Sequence, residues 1–267
     1  MPLAGAGSRF KSAGVETPKP LIEVEGLPMC RLVWENVVPQ KMDFRLTVLA
    51  NWKIADPLCD ALAPSVNRSV PVNRVTQGAA CTVLLASDTI DNYDPLMIVN
   101  GDQYIEGLDI DIFLNFAKDY HGAIMTFNVA PDDPPKWSYV ERHCQGAFAS
   151  QMHSMNIQRV AEKKAISREA TCGIYWFRHG RDFLRAANAM ITKDLRTNGE
   201  FYICPVYNEM IAEGLTIGAW NVNNYAGRMW GLGTPEDLEK LLARSDPAEW
   251  TDKNVEAVRS ITVGIAT

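Results

Sequence analysis

No two of the six cysteines, at positions 30, 59, 81, 144, 172 and 204, stand at CxxC spacing. That argues against a zinc site or a disulfide frame and points to reduced, mostly buried thiols in a cytoplasmic protein. Basic residues are outnumbered, 26 Lys and Arg against 32 Asp and Glu, for a formal net charge of -6. An acidic balance of this kind is unsuited to non-specific nucleic-acid binding, so any phosphate must be held locally. No apolar run comes near the roughly 18–20 residues that a membrane-crossing helix needs, and no charged-then-apolar leader opens the chain. Neither nucleic acid nor membrane is therefore an expected partner. Internal repeats and Gly/Ser-rich linkers are absent too.

What is present suits a large globular core: 47% of the 267 residues are hydrophobic and 22% charged. Short apolar runs fit buried strands at 45–50 ("RLTVLA"), 95–100 ("PLMIVN"), 123–129 ("AIMTFNV") and 172–177 ("CGIYWF"). Helical spacing lies between them. At 78–88 Ala80, Val83, Leu84 and Ser87 share a side, and at 110–120 Ile112, Phe113 and Phe116 do so. Residues 181–191 and 234–243 are the clearest helices, the second with Thr234 as cap, Pro235 in the first turn and acids where the helix dipole favours them. Apolar strands alternating with amphipathic helices predict an α/β fold, a mostly parallel central sheet with helices on both faces. The Pro-rich stretch 130–137 reads as a loop inside one domain spanning 1–243. Residues 244–267, with Trp250 and an apolar "ITVGIA", read as an extension packed on that domain or on a second subunit of a homo-oligomer. Only Met1 and Pro2 precede the first glycine-containing loop, so the first strand is expected to be a stub or trimmed.

Four stretches carry chemistry. "LAGAGSRF" (3–10) brings Leu3, Ala4, Gly5, Ala6, Gly7 and Ser8 into a small-residue loop whose amides can point at an anion, with Arg9 and then Lys19 in "TPKPL" (17–21) as cations. It matches neither G-x-G-x-x-G nor the P-loop pattern, and a plain turn is the alternative. "NGDQ" (100–103) sets Gly101 and Asp102 just beyond an apolar strand, where ligands bind in open α/β sheets and a carboxylate can hold magnesium; a capping turn is the alternative. The acids of "DID" (109–111) open a helix and read as caps. In "TQGAACT" (76–82) the Gln77 amide can read a base edge and Gly78 lets the backbone approach it, unless the stretch is an ordinary helix start. In "VAEKK" (160–164) Lys163 can take a second phosphate and Glu162 a hydroxyl, unless both belong to a solvated charge cluster.

The order of the glycine loop with Arg9, then "PKPL", "QG", "NGD", "EKK", "CGIYWF", "GEFY" and "WGLGTPEDL", resembles the sugar-phosphate nucleotidyltransferases from residue 3 to about 243. The resemblance implies a Rossmann-like domain that joins a nucleoside triphosphate to a sugar 1-phosphate, or a similar small phosphorylated acceptor, releasing pyrophosphate with Mg2+ as cofactor. It implies an activated nucleotide-sugar for surface polysaccharide synthesis. By motif it assigns residues 3–8 to the triphosphate loop together with Arg9, and Lys19 to the reacting phosphates. Gln77, Gly78 and Gly101 go to the nucleotide, and Asp102 to the metal. Lys163 goes to the acceptor phosphate, and Glu162, Gly173 and Glu200 to the acceptor pocket. One departure stands out: the family commonly carries W-x-D-x-G-T, and Gly231 stands where that Asp would be. Rival expectations are a nucleotide-binding regulatory homologue with impaired catalysis and a glycosyltransferase of similar build.

Overall fold

A parallel sheet of three strands begins at the amino end, in the order Pro2–Leu3, Leu46–Asn51, Val66–Val72, with Leu3 beside Ala50 and Ala50 beside Pro71. The computed structural model describes residues 1–143 and 156–244. Cys144, His153, Trp250 and the rest of the expected C-terminal extension lie outside these described residues. By its internal packing the chain resolves into two units. Of the described residues, the first comprises 1–75, 100–108 and 229–244; the second comprises 76–99, 109–143 and 156–228.

In the first unit the helix Met29–Val37 buries Met29, Cys30, Leu32, Val33, Trp34 and Val37. Each large apolar side chain taken from water there contributes roughly 1.5–3 kcal/mol. The same helix carries the half-buried Asn36, whose amide clasps one peptide unit. Its Nδ2 donates to the Ile105 carbonyl (2.9 Å) and its Oδ1 accepts from the Ile105 N–H (2.8 Å). This two-point tie fixes the segment that carries Asp102. Helix Pro235–Leu242 begins as expected, with the Thr234 hydroxyl accepting from the Asp237 N–H (3.1 Å). Burial of Leu238, Leu241 and Leu242 holds it in place.

The second unit is built on a six-stranded sheet. Ile157–Glu162, Ser138–Arg142, Glu169–Phe177, Gly122–Asn128 and Ile217–Asn221 follow one another, and Leu96–Val99 also pairs with Glu169–Phe177. Leu96–Val99, Gly122–Asn128 and Ile217–Asn221 run in one direction, and Glu169–Phe177 runs against them between the first two. That strand is buried along nearly its whole length, so its composition is that of a central strand whichever way it points. Its register shifts between Thr171 and Tyr175, where Gly173 has φ +70°, a bulge that a side chain at 173 would strain. The helix Gly180–Thr192 packs Phe183, Ala186, Ala187 and Met190 into the core, where Phe177 stacks on Tyr207 at 4.6 Å.

Several expectations shift in detail. The helix read at 78–88 is broken into Ala79–Leu84 and Ser87–Ile90. In Ile110–Ala117 the buried stripe is Ile110, Phe113, Leu114 and Ala117, and Ile112 is exposed. The i, i+3, i+4, i+7 spacing from 110 turns position 112 to the far side. Asp109 does cap that helix, accepting from the Asp111 N–H (3.0 Å). Among the described residues no helix is long and apolar enough to cross a membrane.

Candidate active site

The opening loop brings its residues together within the first unit. Gly7 has φ +61° and caps the short helix Ser8–Ser12. A Cβ added to Gly7 would stand 3.2 Å from the Lys19 Cβ, so the loop and Lys19 are in contact at a point where only glycine fits without strain. Lys19 is itself held rigidly. Pro18 and buried Pro20 flank it, and the Leu21 N–H closes a tight turn on the Pro18 carbonyl (2.8 Å). Gly5, Ala6, Ser8 and Arg9 are exposed, whereas Leu3 is buried. Gly101 packs so closely on the Leu3 side chain that a Cβ there would force the end of Leu3 to shift.

From that turn the Lys19 Nζ reaches the Asp102 Oδ2 at 2.6 Å, both side chains partly exposed. The Asp102 carbonyl accepts from the Leu232 N–H (2.7 Å), which ties the "WGLGT" stretch to the same place. Gly233 is the hub. From the position its Cβ would take, Asp102 Oδ2 lies at 3.6 Å, Arg9 Nη1 at 3.7 Å and Asp237 Oδ2 at 4.0 Å. So Gly7, Arg9, Lys19, Gly101 and Asp102, named from three separate stretches of the chain, converge in this unit. In the sequence Asp237 reads only as a first-turn acid of its helix, and nothing in its spacing foretells that its carboxylate lies beside Gly233. It stands in a place where Gly231 leaves no carboxylate.

No group of three or more metal-ligating side chains occurs among the described residues. Two carboxylates facing one glycine do suit a magnesium ion that keeps several waters and takes its remaining ligands from phosphates. They would not suit a structural zinc, which needs four protein ligands.

A second cluster lies in the second unit, organised by residues 196–203. The Phe201 N–H donates to the Gln77 carbonyl (2.8 Å) and the Phe201 carbonyl accepts from the Ala80 N–H (3.0 Å). Gly78, at φ +125°, runs so close to the Phe201 backbone that a Cβ would overlap it. The Thr76 and Thr82 hydroxyls both donate to the Gly78 carbonyl, at 3.0 and 3.2 Å. One residue on, the Tyr202 hydroxyl accepts from Lys163 Nζ, whose ammonium sits 4.4 Å from the centre of the Tyr202 ring. One residue back, Glu200 raises the proton affinity of Glu162 through like charge. Burial is the larger cause of the raised Glu162 pKa, and its bond from the Ser138 hydroxyl and the Lys163 charge work the other way. Gln77, Gly78, Glu162, Lys163 and Glu200 are thus brought together. Gly173 is placed at the bulge of its strand. Tyr202 belongs to this cluster, and so does Arg196, which the sequence reading does not name.

The nucleotidyl transferase family model matches residues 3–215. Among solved structures, a nucleoside-diphosphate-sugar pyrophosphorylase from Vibrio cholerae is similar with TM-score 0.72 and 21% identity, over 91% of this chain and all of that one. A UDP-glucose pyrophosphorylase from Acinetobacter baumanii gives TM-score 0.67 and 15% identity over 98% and 97% of the two chains. An inositol-1-phosphate CTP transferase from T. maritima gives 0.65 and 14% over 100% and 96%. At these identities the likeness is one of fold. Among curated protein sequences none matches the chain.

Proposed function

We propose that this chain, which belongs to the nucleotidyl transferase family, joins a nucleoside triphosphate to a sugar 1-phosphate or a comparable small phosphorylated acceptor and releases pyrophosphate. The product would be an activated nucleotide-sugar of the kind consumed in surface polysaccharide synthesis. The observation that carries this reading is the Lys19–Asp102 ion pair at the glycine loop, with Arg9 and Asp237 beside it.

In this reading the loop 3–8, Arg9 and Lys19 take the triphosphate, Gln77 and Gly78 face the base, and Lys163 takes the acceptor phosphate. An acceptor phosphate oxygen attacks the α-phosphorus; a new P–O bond forms as the bond to pyrophosphate breaks, and pyrophosphate leaves as the anion. A phosphate oxygen is already ionised near neutral pH, so no general base is needed. Two anions must be brought together, and unit charges at 4 Å repel by about 4 kcal/mol at an effective dielectric of 20. Arg9, Lys19 and Lys163 offset that repulsion and hold the reacting groups in line. Asp102, with Asp237 as the second carboxylate at Gly233, would hold magnesium, which when bound neutralises phosphate charge. Acceptor selection falls to Glu162, Gly173 and Glu200.

The test is to incubate the protein with magnesium, each of the four nucleoside triphosphates and a panel of sugar and polyol phosphates, following pyrophosphate. Release with one nucleotide and one acceptor class supports the reading. No release with any pair, together with no nucleotide-dependent rise in melting temperature, contradicts it.

A further inference from the structure

We infer that Arg196 decides which face of the Gln77 amide is offered to the nucleoside base, making it a positioning residue for base selection; this rests on the reading of Gln77 and Gly78 as the base-facing pair. The Arg196 Nη2 donates to Gln77 Oε1 at 2.8 Å. A guanidinium has only donors, so the amide oxygen must turn toward it and the NH2 group must turn away. Gln77 is exposed, and its Nε2 makes no hydrogen bond among the described residues. The end of the amide turned away from Arg196 is therefore its NH2 group, which presents donors.

Arg196 is well placed to impose this. Its Nε donates to Asp194 Oδ1 (2.5 Å), its Nη1 to the Gly199 carbonyl (3.1 Å), and its Cζ lies 4.0 Å from the centre of the Phe201 ring. The loop it sits on is a two-residue hairpin. Thr197 and Glu200 exchange both backbone hydrogen bonds, and Asn198 and Gly199 take φ +49° and +80°, the pattern of a type I′ turn. Phe201 lies under the guanidinium and is also the residue whose backbone anchors Gln77, so clamp and target share one support. A fixed donor favours a base whose contacted edge carries a carbonyl oxygen or an unprotonated ring nitrogen. A base offering an amino group there meets donor against donor. Without Arg196 the amide can turn over and accept either.

The test measures kcat/KM and calorimetric affinity for each of the four nucleoside triphosphates, with magnesium, in the full chain carrying Arg196→Met, Arg196→Lys, Gln77→Met and the Arg196→Met/Gln77→Met pair. Arg196→Met keeps a stem over Phe201 and removes the donors. It is expected to narrow the ratio between best and second-best nucleotide by at least about fivefold, the size of one neutral amide–base hydrogen bond's discrimination. KM for the acceptor should stay unchanged. Arg196→Lys, which keeps a donor, should restore part of the ratio. In the Gln77→Met background Arg196→Met should change nothing further, because its effect passes through that amide. Additive losses in the pair, or an unchanged ratio in Arg196→Met alongside a changed one in Gln77→Met, overturn the Arg196 assignment only. An unchanged ratio in Gln77→Met overturns the base-site reading, and the inference with it.

Discussion

The Lys163 ammonium lies 4.4 Å from the centre of the Tyr202 ring and donates to the hydroxyl of the same residue. Lys163 itself has φ +53°, and its N–H is tied to the Trp137 carbonyl (2.9 Å), so the side chain leaves a constrained backbone in one direction. Lys163→Met should raise KM for the acceptor at least about tenfold, the equivalent of 1.4 kcal/mol, and leave KM for the nucleotide nearly unchanged. Tyr202→Phe keeps the ring beneath the charge and should cost less. Steady-state kinetics with each substrate varied in turn checks both.

Arg142 grips Glu169 with two donors, its Nε at 2.6 Å from Oε2 and an Nη2 on Oε1, and each side chain is nearly buried. The Thr126 hydroxyl and Asn221 Nδ2 also donate to that carboxylate. Arg142→Ala leaves a buried charge with only neutral donors and should cost about 3 kcal/mol in urea unfolding. Replacing both partners by methionine should recover part of the loss.

Glu162 gives the protein a pH dependence of stated sign. Burial raises its folded-state pKa, so the folded state binds the proton more tightly than the unfolded chain. Stability from this group is present below the unfolded carboxylate range and falls as pH rises through the raised value. Glu162→Gln keeps an acceptor for Ser138 and removes the charge. It should raise the melting temperature at pH 7–8 relative to wild type and give little change at pH 4.

Thiol reactivity should follow burial. Burial pushes Cys30 up to about 11 and Cys172 and Cys204 well upward, and all three are enclosed. Cys59 and Cys81 are half-buried. Iodoacetamide at pH 8 on the folded protein should leave Cys30, Cys172 and Cys204 unmodified while Cys59 or Cys81 reacts, as read by peptide mass spectrometry.

Much of the fold was legible because it rests on local signals. Four apolar runs became strands, and "TPEDLEKLLA" announced its own cap. Val66–Val72 escaped because "VNRSVPV" has polar side chains and a proline at the sheet edge, where half-exposure removes the apolar pattern. The helix Met29–Val37 escaped because Pro28, with no side chain to cap it, marks its start. In the site, the glycine loop, Lys19, Asp102, Gln77 and Lys163 could be named because chemistry-bearing residues sat in recognisable order. Arg196 could not: its partner Gln77 is 119 positions away, and only the hairpin and Phe201 bring them together. Asp237 looked like a helix-dipole acid and is also that.

The central claim is that Lys19 and Asp102 face the reacting phosphates, and the rate of pyrophosphate release under saturating substrates tests it most directly. Lys19→Ala and Asp102→Ala, each checked for an unchanged circular dichroism spectrum, should slow that rate by at least about 100-fold, or ~3 kcal/mol by comparison with a lost oxyanion donor. Either variant turning over near the wild-type rate would contradict the account.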